Sequence, residues 1–118
     1  DGITFYGFPY VKDLPMWAFN KTEEEIDEKL ERVQMKIDVM ITHCPAYYIL
    51  DVENSDFPIH WGSKSILKAV KRLKPRIHAF GHVHDSYGQE RIDETLHINA
   101  SFCGAHNIPR NSPILVEI

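Results

Sequence analysis

The chain has 118 residues and 13.7 kDa, enough for one domain and too little for an enzyme with a separate regulatory module. Hydrophobic residues at 43% and charged residues at 25% are globular proportions, which exclude a disordered tail, a collagen-like fibre or a low-complexity linker. Thirteen basic against seventeen acidic side chains leave a net charge of −4 and a pI near 5.9, so no global positive field exists to hold a nucleic-acid polymer or an anionic membrane, and any phosphate must be gripped locally.

Residues 3–6 read as a strand from almost the first position, and with Asp1 in place of an initiator methionine the chain reads as cut from something longer. Turn signals between Pro9 and Pro15 follow. Thr22 with Glu25 three residues on predicts a capping box that opens a helix. Ile26, Leu30 and Val33 share one face of it, while Glu25 precedes Lys29, and Glu28 precedes Arg32, by four on the wet side. Residues 37–41 are a β-branched run that predicts a buried strand ending at Thr42-His43. From Cys44 to Gly62 no periodic segment is present, and a connection of that length predicts a binding loop or lid. Ser63 caps a second helix with Ile66, Leu67, Val70 and Leu73 as its apolar stripe and Lys64, Lys68, Lys71 and Arg72 as a solvated opposite face. Pro75 stops that helix, and residues 77–80 form the next strand, ending at Gly81-His82-Val83-His84. Turns at 87–89 and 93–94 separate short strands, of which residues 96–100 and 114–118 are the last two. The pattern βαβαβ followed by short strands predicts an α/β fold with a mostly parallel sheet.

Strand 37–41, helix 63–73 and strand 77–80 make a βαβ unit whose strands lie side by side and point the same way. His43 and His82 fall just past their carboxyl ends, the edge at which open α/β sheets bind ligands. His84, two residues on in extended chain, projects to the same side as His82 while Val83 turns into the core. Three neutral imidazoles meeting there are ligand chemistry for zinc and related metals. Gly81 removes a side chain where the backbone leaves the strand, and Asp85 is placed to orient a ring as a hydrogen-bond acceptor. His78, inside a strand, and His97, opening another, read as structural; His60 and His106 sit in loops and are left unassigned. Cys44 and Cys103 are too few for a disulfide scaffold and fit a reducing, cytoplasmic setting, with Cys44 a free buried thiol. No apolar run is long enough to span a membrane, and no signal peptide is visible.

Thr42-His43-Cys44-Pro45 and Gly81-His82-Val83-His84 resemble the two C-terminal metal motifs of the calcineurin-like metallophosphoesterases. Tyr6-Gly7-x-Pro9, Trp17-Ala18-Phe19, the stretch 74–84, Tyr87-Gly88, Ile98-Asn99-Ala100-Ser101 and Pro109-x-Asn111-x-Pro113 are similar to the metallophosphoesterase-domain-containing (MPPED) branch, over nearly the whole chain. The resemblance implies that residues 1–118 are the C-terminal half of one metallophosphoesterase α/β sandwich. It implies further that His43 and His82 bind one ion, and His84 the other, of a pair of divalent metals (manganese, iron or zinc). The implied activity is phosphodiester hydrolysis, cyclic nucleotides included, with a phosphoester substrate and either an N-terminal half or a second copy of the chain as partners.

The family's Asp-x-His, bridging Gly-Asp and Gly-Asn-His motifs do not occur in residues 1–118, and Ala46 stands where many members have a second proline. No catalytic residue is therefore assigned within the chain, which is expected to be inactive alone and to hold at most one ion weakly. Two other readings stay open: a non-catalytic remnant serving as a binding or structural subunit, and a structural zinc protein with Cys44 or Cys103 as a fourth ligand. Tyr47, Tyr48, Phe57 and Trp61 read as anchors of the long loop, with stacking on a base as the alternative.

Overall fold

The computed structural model describes residues 2–54 and 56–118. Along the chain it forms β1 (Phe5–Phe8), α1 (Glu23–Glu31), β2 (Val39–Thr42), β3 (Val52–Glu53), β4 (Ile59–His60), α2 (Lys64–Leu73), β5 (Ile77–Phe80), β6 (Gly88–Ile92) and β7 (Thr95–Asn99). One five-stranded sheet has the order β1-β2-β5-β7-β6; every neighbouring pair is parallel except β6 with β7. The fold is thus α/β with a mostly parallel sheet, as the βαβ pattern predicts.

Local chemistry starts the helices where the sequence places them. The Thr22 hydroxyl accepts from Glu25 N at 3.2 Å, and the Glu25 carboxylate accepts from Thr22 N at 2.9 Å, so the capping box is closed in both directions. Ser63 accepts from Ile66 N at 3.1 Å to open α2, and Lys74 in the left-handed conformation (φ 47) ends it just before Pro75. Each helix is a crossover between neighbouring parallel strands, and both crossovers step the same way across the sheet. Right-handedness then puts α1 and α2 on one face, where they pack together. Ile26 and Leu30 of α1, Val33 just after it, and Ile66, Ala69 and Val70 of α2 close the core over Phe8, Met40 and Phe80.

The cations of α2 are all exposed, as the solvated face requires, and three of them also have partners. Lys68 bridges Asp27 at 2.9 Å and Glu31 at 2.7 Å, and Lys64 lies over the Tyr47 ring at 5.1 Å. Arg72 donates to the Val33 and Leu30 carbonyls, both at 2.8 Å, and so ties α2 to the chain at the end of α1, where Leu30 O also accepts from Val33 N. A helical period reports which positions share a face, and a neighbouring helix decides which of them find partners there.

The sequence also places a last strand at 114–118, and the structure has none there. Ile114 and Val116 are half-buried and Leu115 is exposed, which is the alternation of a strand, yet among the described residues no neighbouring strand pairs with it. At the other end, Ile3 and Thr4 lead into β1 while Thr4 N donates to the Asp38 carboxylate at 2.9 Å. The sheet face opposite the helices carries Phe5, 64% exposed, and Ile41, 46% exposed, and among the described residues no helix covers it. Among the described residues no helix is long and apolar enough to cross a membrane.

The connection from Cys44 to Gly62 is tied down by a buried carboxylate. Asp51 accepts from Tyr48 N at 2.9 Å and Gly62 N at 3.1 Å, and its other oxygen meets His60 Nδ1 at 2.8 Å, which gives His60 its role. The Tyr48 ring stacks on His60 at 4.0 Å and meets Tyr47 at 4.5 Å, so both tyrosines anchor the loop. Gly62 passes so close to the Ala46 carbonyl that a Cβ there would collide with it. Within the loop β3 and β4 form a separate antiparallel ribbon.

If Arg72 ties α2 to the end of α1, Arg72→Met, which keeps the aliphatic stem, lowers the urea-unfolding free energy by about 1–3 kcal/mol. Lys71→Met, on the same helix without such partners, changes it by less than about 0.5 kcal/mol.

Candidate metal site

The pairing of β2 with β5 matches Val39 to Ile77 and Ile41 to Ala79, so the two strands end level. The ladder continues past them: His43 N donates to Phe8 O at 3.2 Å, and Gly81 N donates to His43 O at 3.1 Å. Each histidine leaves its strand at this edge, and His43 Nε2 lies 3.2 Å from His82 Nδ1. The turn that aims His82 falls on His82 itself, at φ 71, and not on Gly81, which keeps a negative φ. A left-handed backbone on a non-glycine residue is uncommon and concentrates where a side chain has a task. Trp17 stands edge-on to both imidazoles, with ring centroids 6.0 and 5.9 Å away.

His84 follows on a backbone different from the extended one expected. Val83 is buried as predicted, but a short 3-10 turn, His84–Ser86, begins at once and ends the extended alternation that would align His84 with His82. His84 Nδ1–H donates to the Gly104 carbonyl at 3.2 Å, which leaves Nε2 with its lone pair. Asp85 does not orient that ring. Its carboxylate accepts from Asn54 N at 3.0 Å, and Ser86 bonds Val52 at both its N–H and its carbonyl, so this turn is stitched to β3. His82 and His84 share a cleft of about 490 Å³ with Trp61, His106, Glu53 and Asp85. Among the described residues no three His, Cys, Asp or Glu side chains converge on one point. The sequence-predicted trio is therefore a pair with a neighbour.

The thiols stand outside it. Cys44 is buried, its Sγ is 3.7 Å from the Tyr10 carbonyl, and burial pushes its pKa up to about 12; both cysteines are free.

Burial, then the neighbouring His43 and His84, hold the His82 pKa down to about 4, and burial also lowers that of His43. Both rings are neutral at pH 7, the form that ligates metals. Two imidazole nitrogens on one tetrahedral zinc, each about 2.0–2.1 Å from it, are about 3.3 Å apart. The observed 3.2 Å fits two positions on one ion, and the chain leaves the remaining positions to other donors.

No family model matches the chain. It is 32% identical over 119 residues to human metallophosphoesterase domain-containing protein 1, an alignment that covers 99% of this chain and 36% of that protein. The chain is homologous to a segment of that metallophosphoesterase domain-containing protein. A UPF0046 protein of Caenorhabditis elegans is 33% identical over 120 residues, 100% of this chain and 40% of its own. An uncharacterized protein of Methanocaldococcus jannaschii is 35% identical over 107 residues, 86% of this chain and 49% of its own. The chain thus spans between about a third and a half of these relatives. A solved structure superposes with a TM-score of 0.59 at 20% identity over 82% of this chain and 40% of that one, a likeness of fold.

Two buried polar assemblies support the segment shared with these relatives. Asn99, at the end of β7, donates to the Leu50 carbonyl at 3.1 Å and the Val83 carbonyl at 2.8 Å and accepts from both N–H and hydroxyl of Ser101, so it braces the backbone between His82 and His84. The sequence marks Asn99 and Trp17 only as parts of matching motifs; a buried asparagine at a strand end was the available signal for the first.

The second assembly joins His78 and His97. The Thr42 hydroxyl donates to the Cys44 carbonyl at 2.6 Å, so its oxygen accepts from His78 Nε2–H at 2.9 Å; His78 Nδ1 is then the acceptor for His97 Nδ1–H at 3.2 Å. Both histidines are structural, as expected. Burial and His97 hold the His78 pKa at about 3, and burial holds that of His97 at about 4. An unfolded histidine titrates near 6.5, so between pH 6.5 and about 4 the unfolded chain binds protons that the folded chain refuses. Stability is complete above pH 6.5 and falls as pH drops through that window. Urea midpoints measured across it should decline steeply, and His97→Asn should flatten the slope by about one proton; an unchanged slope contradicts the assignment.

Proposed function

We propose that the chain supplies a two-histidine part of a metal-dependent phosphoesterase centre, which hydrolyses phosphodiesters, cyclic nucleotides among them, within the full-length domain. The observation that carries this reading is the 3.2 Å approach of two neutral imidazoles at the carboxyl ends of adjacent parallel strands. Homology to a metallophosphoesterase domain protein supports the reaction class.

In this reading His43 Nε2 and His82 Nδ1 hold one divalent ion, manganese, iron or zinc, and His84 offers Nε2 to a second. Bound there, such ions polarise a phosphoester oxygen and make water more acidic. Trp17 screens one side of the pair, and the cleft beside His82 takes the ester substituent. No lysine or arginine is among the residues lining that cleft, so the phosphate charge is left for the metals to meet. The leaving-group acid lies on the remainder of the domain, and the two free thiols fit a cytoplasmic setting.

A second reading, a non-catalytic binding or structural module, draws on the absence of a third converging ligand among the described residues. Calorimetry with manganese or zinc separates the two. The chain should take up about one ion weakly and lose it in His82→Ala, and it should not turn over a chromogenic phosphodiester. Adding a segment that bears the Asp-x-His, Gly-Asp and Gly-Asn-His motifs should restore metal-dependent turnover that His82→Ala abolishes. Metal uptake without restored turnover favours the binding module.

We assign the open sheet face around Phe5 and Ile41 to a second sheet layer from the rest of the full-length domain. Without that layer the chain should self-associate, seen by light scattering as a mass above 13.7 kDa that rises with concentration. A clean monomer at high concentration argues against this assignment.

A further inference from the structure

Thr42, His78 and His97 form a buried row across β2, β5 and β7. The register pairs Met40 with His78 and His78 with His97, and Thr42 lies two residues beyond Met40 on the same face of β2. Their exposures are 4%, 0% and 2%. The neighbours of His78 include the Phe80 ring at 4.8 Å, surroundings in which an aliphatic side chain would be the simpler filler. Polar atoms at such positions are tolerated when each finds a partner, and here the donors run in one direction, from His97 through His78 and the Thr42 hydroxyl to the Cys44 carbonyl.

The row ends around His43. Thr42 and Cys44 are its two sequence neighbours, and the hydroxyl-to-carbonyl bond between them closes the short turn on which His43 sits. That bond needs the single Thr42 proton to point at Cys44. His78 Nε2–H enforces this, because it occupies the other side of the same oxygen as a donor and leaves the hydroxyl only one productive rotamer. We infer that His78 is a positioning residue for His43: acting through Thr42, it fixes the turn that sets the His43 ring beside His82. The inference rests on reading that pair as a metal-binding part-site, and it adds that the pair's geometry is set from the core, three strands deep.

The metal-free chain is tested first. Long-range proton–nitrogen correlation spectra at pH 7.5 should show His78 protonated on Nε2 and His97 on Nδ1. The opposite tautomer at His78 overturns the inference. His78→Leu should then displace the His43 ring resonances and remove the nuclear Overhauser contact between the His43 and His82 rings, and His78→Gln, whose amide is again a donor, should recover it. In zinc calorimetry His78→Leu should weaken uptake by about 10-fold or more, with most of the loss recovered in His78→Gln. Wild-type affinity with unmoved His43 resonances in His78→Leu overturns the inference. If the wild-type chain takes up no zinc, the metal reading fails, while the tautomers and the ring contact still decide the positioning role. Should His78→Leu not fold, Thr42→Val removes the hydroxyl at nearly constant volume. It should reproduce the His43 displacement, and unmoved His43 resonances there count against the role equally.

Discussion

Parallel pairing of β2 with β5 is the constraint on which the rest of the molecule depends. Parallel neighbours need a crossover, so α2 must lie between them in sequence, and handedness sends it to the face already taken by α1. The same pairing brings the two carboxyl ends level, and the residues that follow, His43 and His82, have nowhere to go except toward one another. A slip of one residue would reverse the faces of every side chain on one strand and move Met40 out of the core and His78 away from Thr42. The apolar pattern that buries Met40 and Phe80 therefore also sets the nitrogen-to-nitrogen distance at the edge.

What the strands bring together, buried polar side chains hold. Asp51 anchors the connection after His43, and Asn99 braces Val83 between His82 and His84. The Thr42–His78–His97 row does the same for the turn at His43. Each joins a loop at the site to a rigid strand or to a segment packed on one, through bonds sheltered from water. The site carries its own strain as well: His82 adopts a left-handed backbone, and two rings that cannot both be charged sit in contact. Such an arrangement persists only because the surroundings over-determine it.

Legibility in the sequence followed the range of the interaction. Thr22 with Glu25, and Ser63, announced their helices because a cap is satisfied within three residues. His43 and His82 were placed at one edge because handedness and strand ends are read from element order alone. His84 lines the cleft with His82, but the left-handed backbone at His82 and the bond from His84 to the Gly104 carbonyl, twenty residues away, are not legible in its sequence neighbours. Asp85 looked available for His84 and is engaged by Asn54 across a loop. Arg72 is exposed as expected, but its bonds to carbonyls some forty positions earlier cannot be read from its own helix. Residues 114–118 carry a strand's alternation, which no sequence pattern can convert into a partner.

The cleft's charge gives the proposed chemistry its internal logic. The acidic groups on its wall are committed, Glu53 to the Trp61 indole at 2.7 Å and Asp85 to Asn54 N, and no cation lines it to offset them. The chain as a whole is negative by four charges. An anionic ester entering such a wall meets repulsion, screened in part by the solvent to which Glu53 and Asp85 are exposed. His82 does not relieve it, because burial, then the neighbouring imidazoles, keep it neutral far below pH 7. Positive charge then has to arrive with a ligand of the imidazoles themselves. On this reading metal binding precedes and permits phosphate binding, and the depressed basicity of the pair is what keeps protons from competing for the nitrogens that the metal needs.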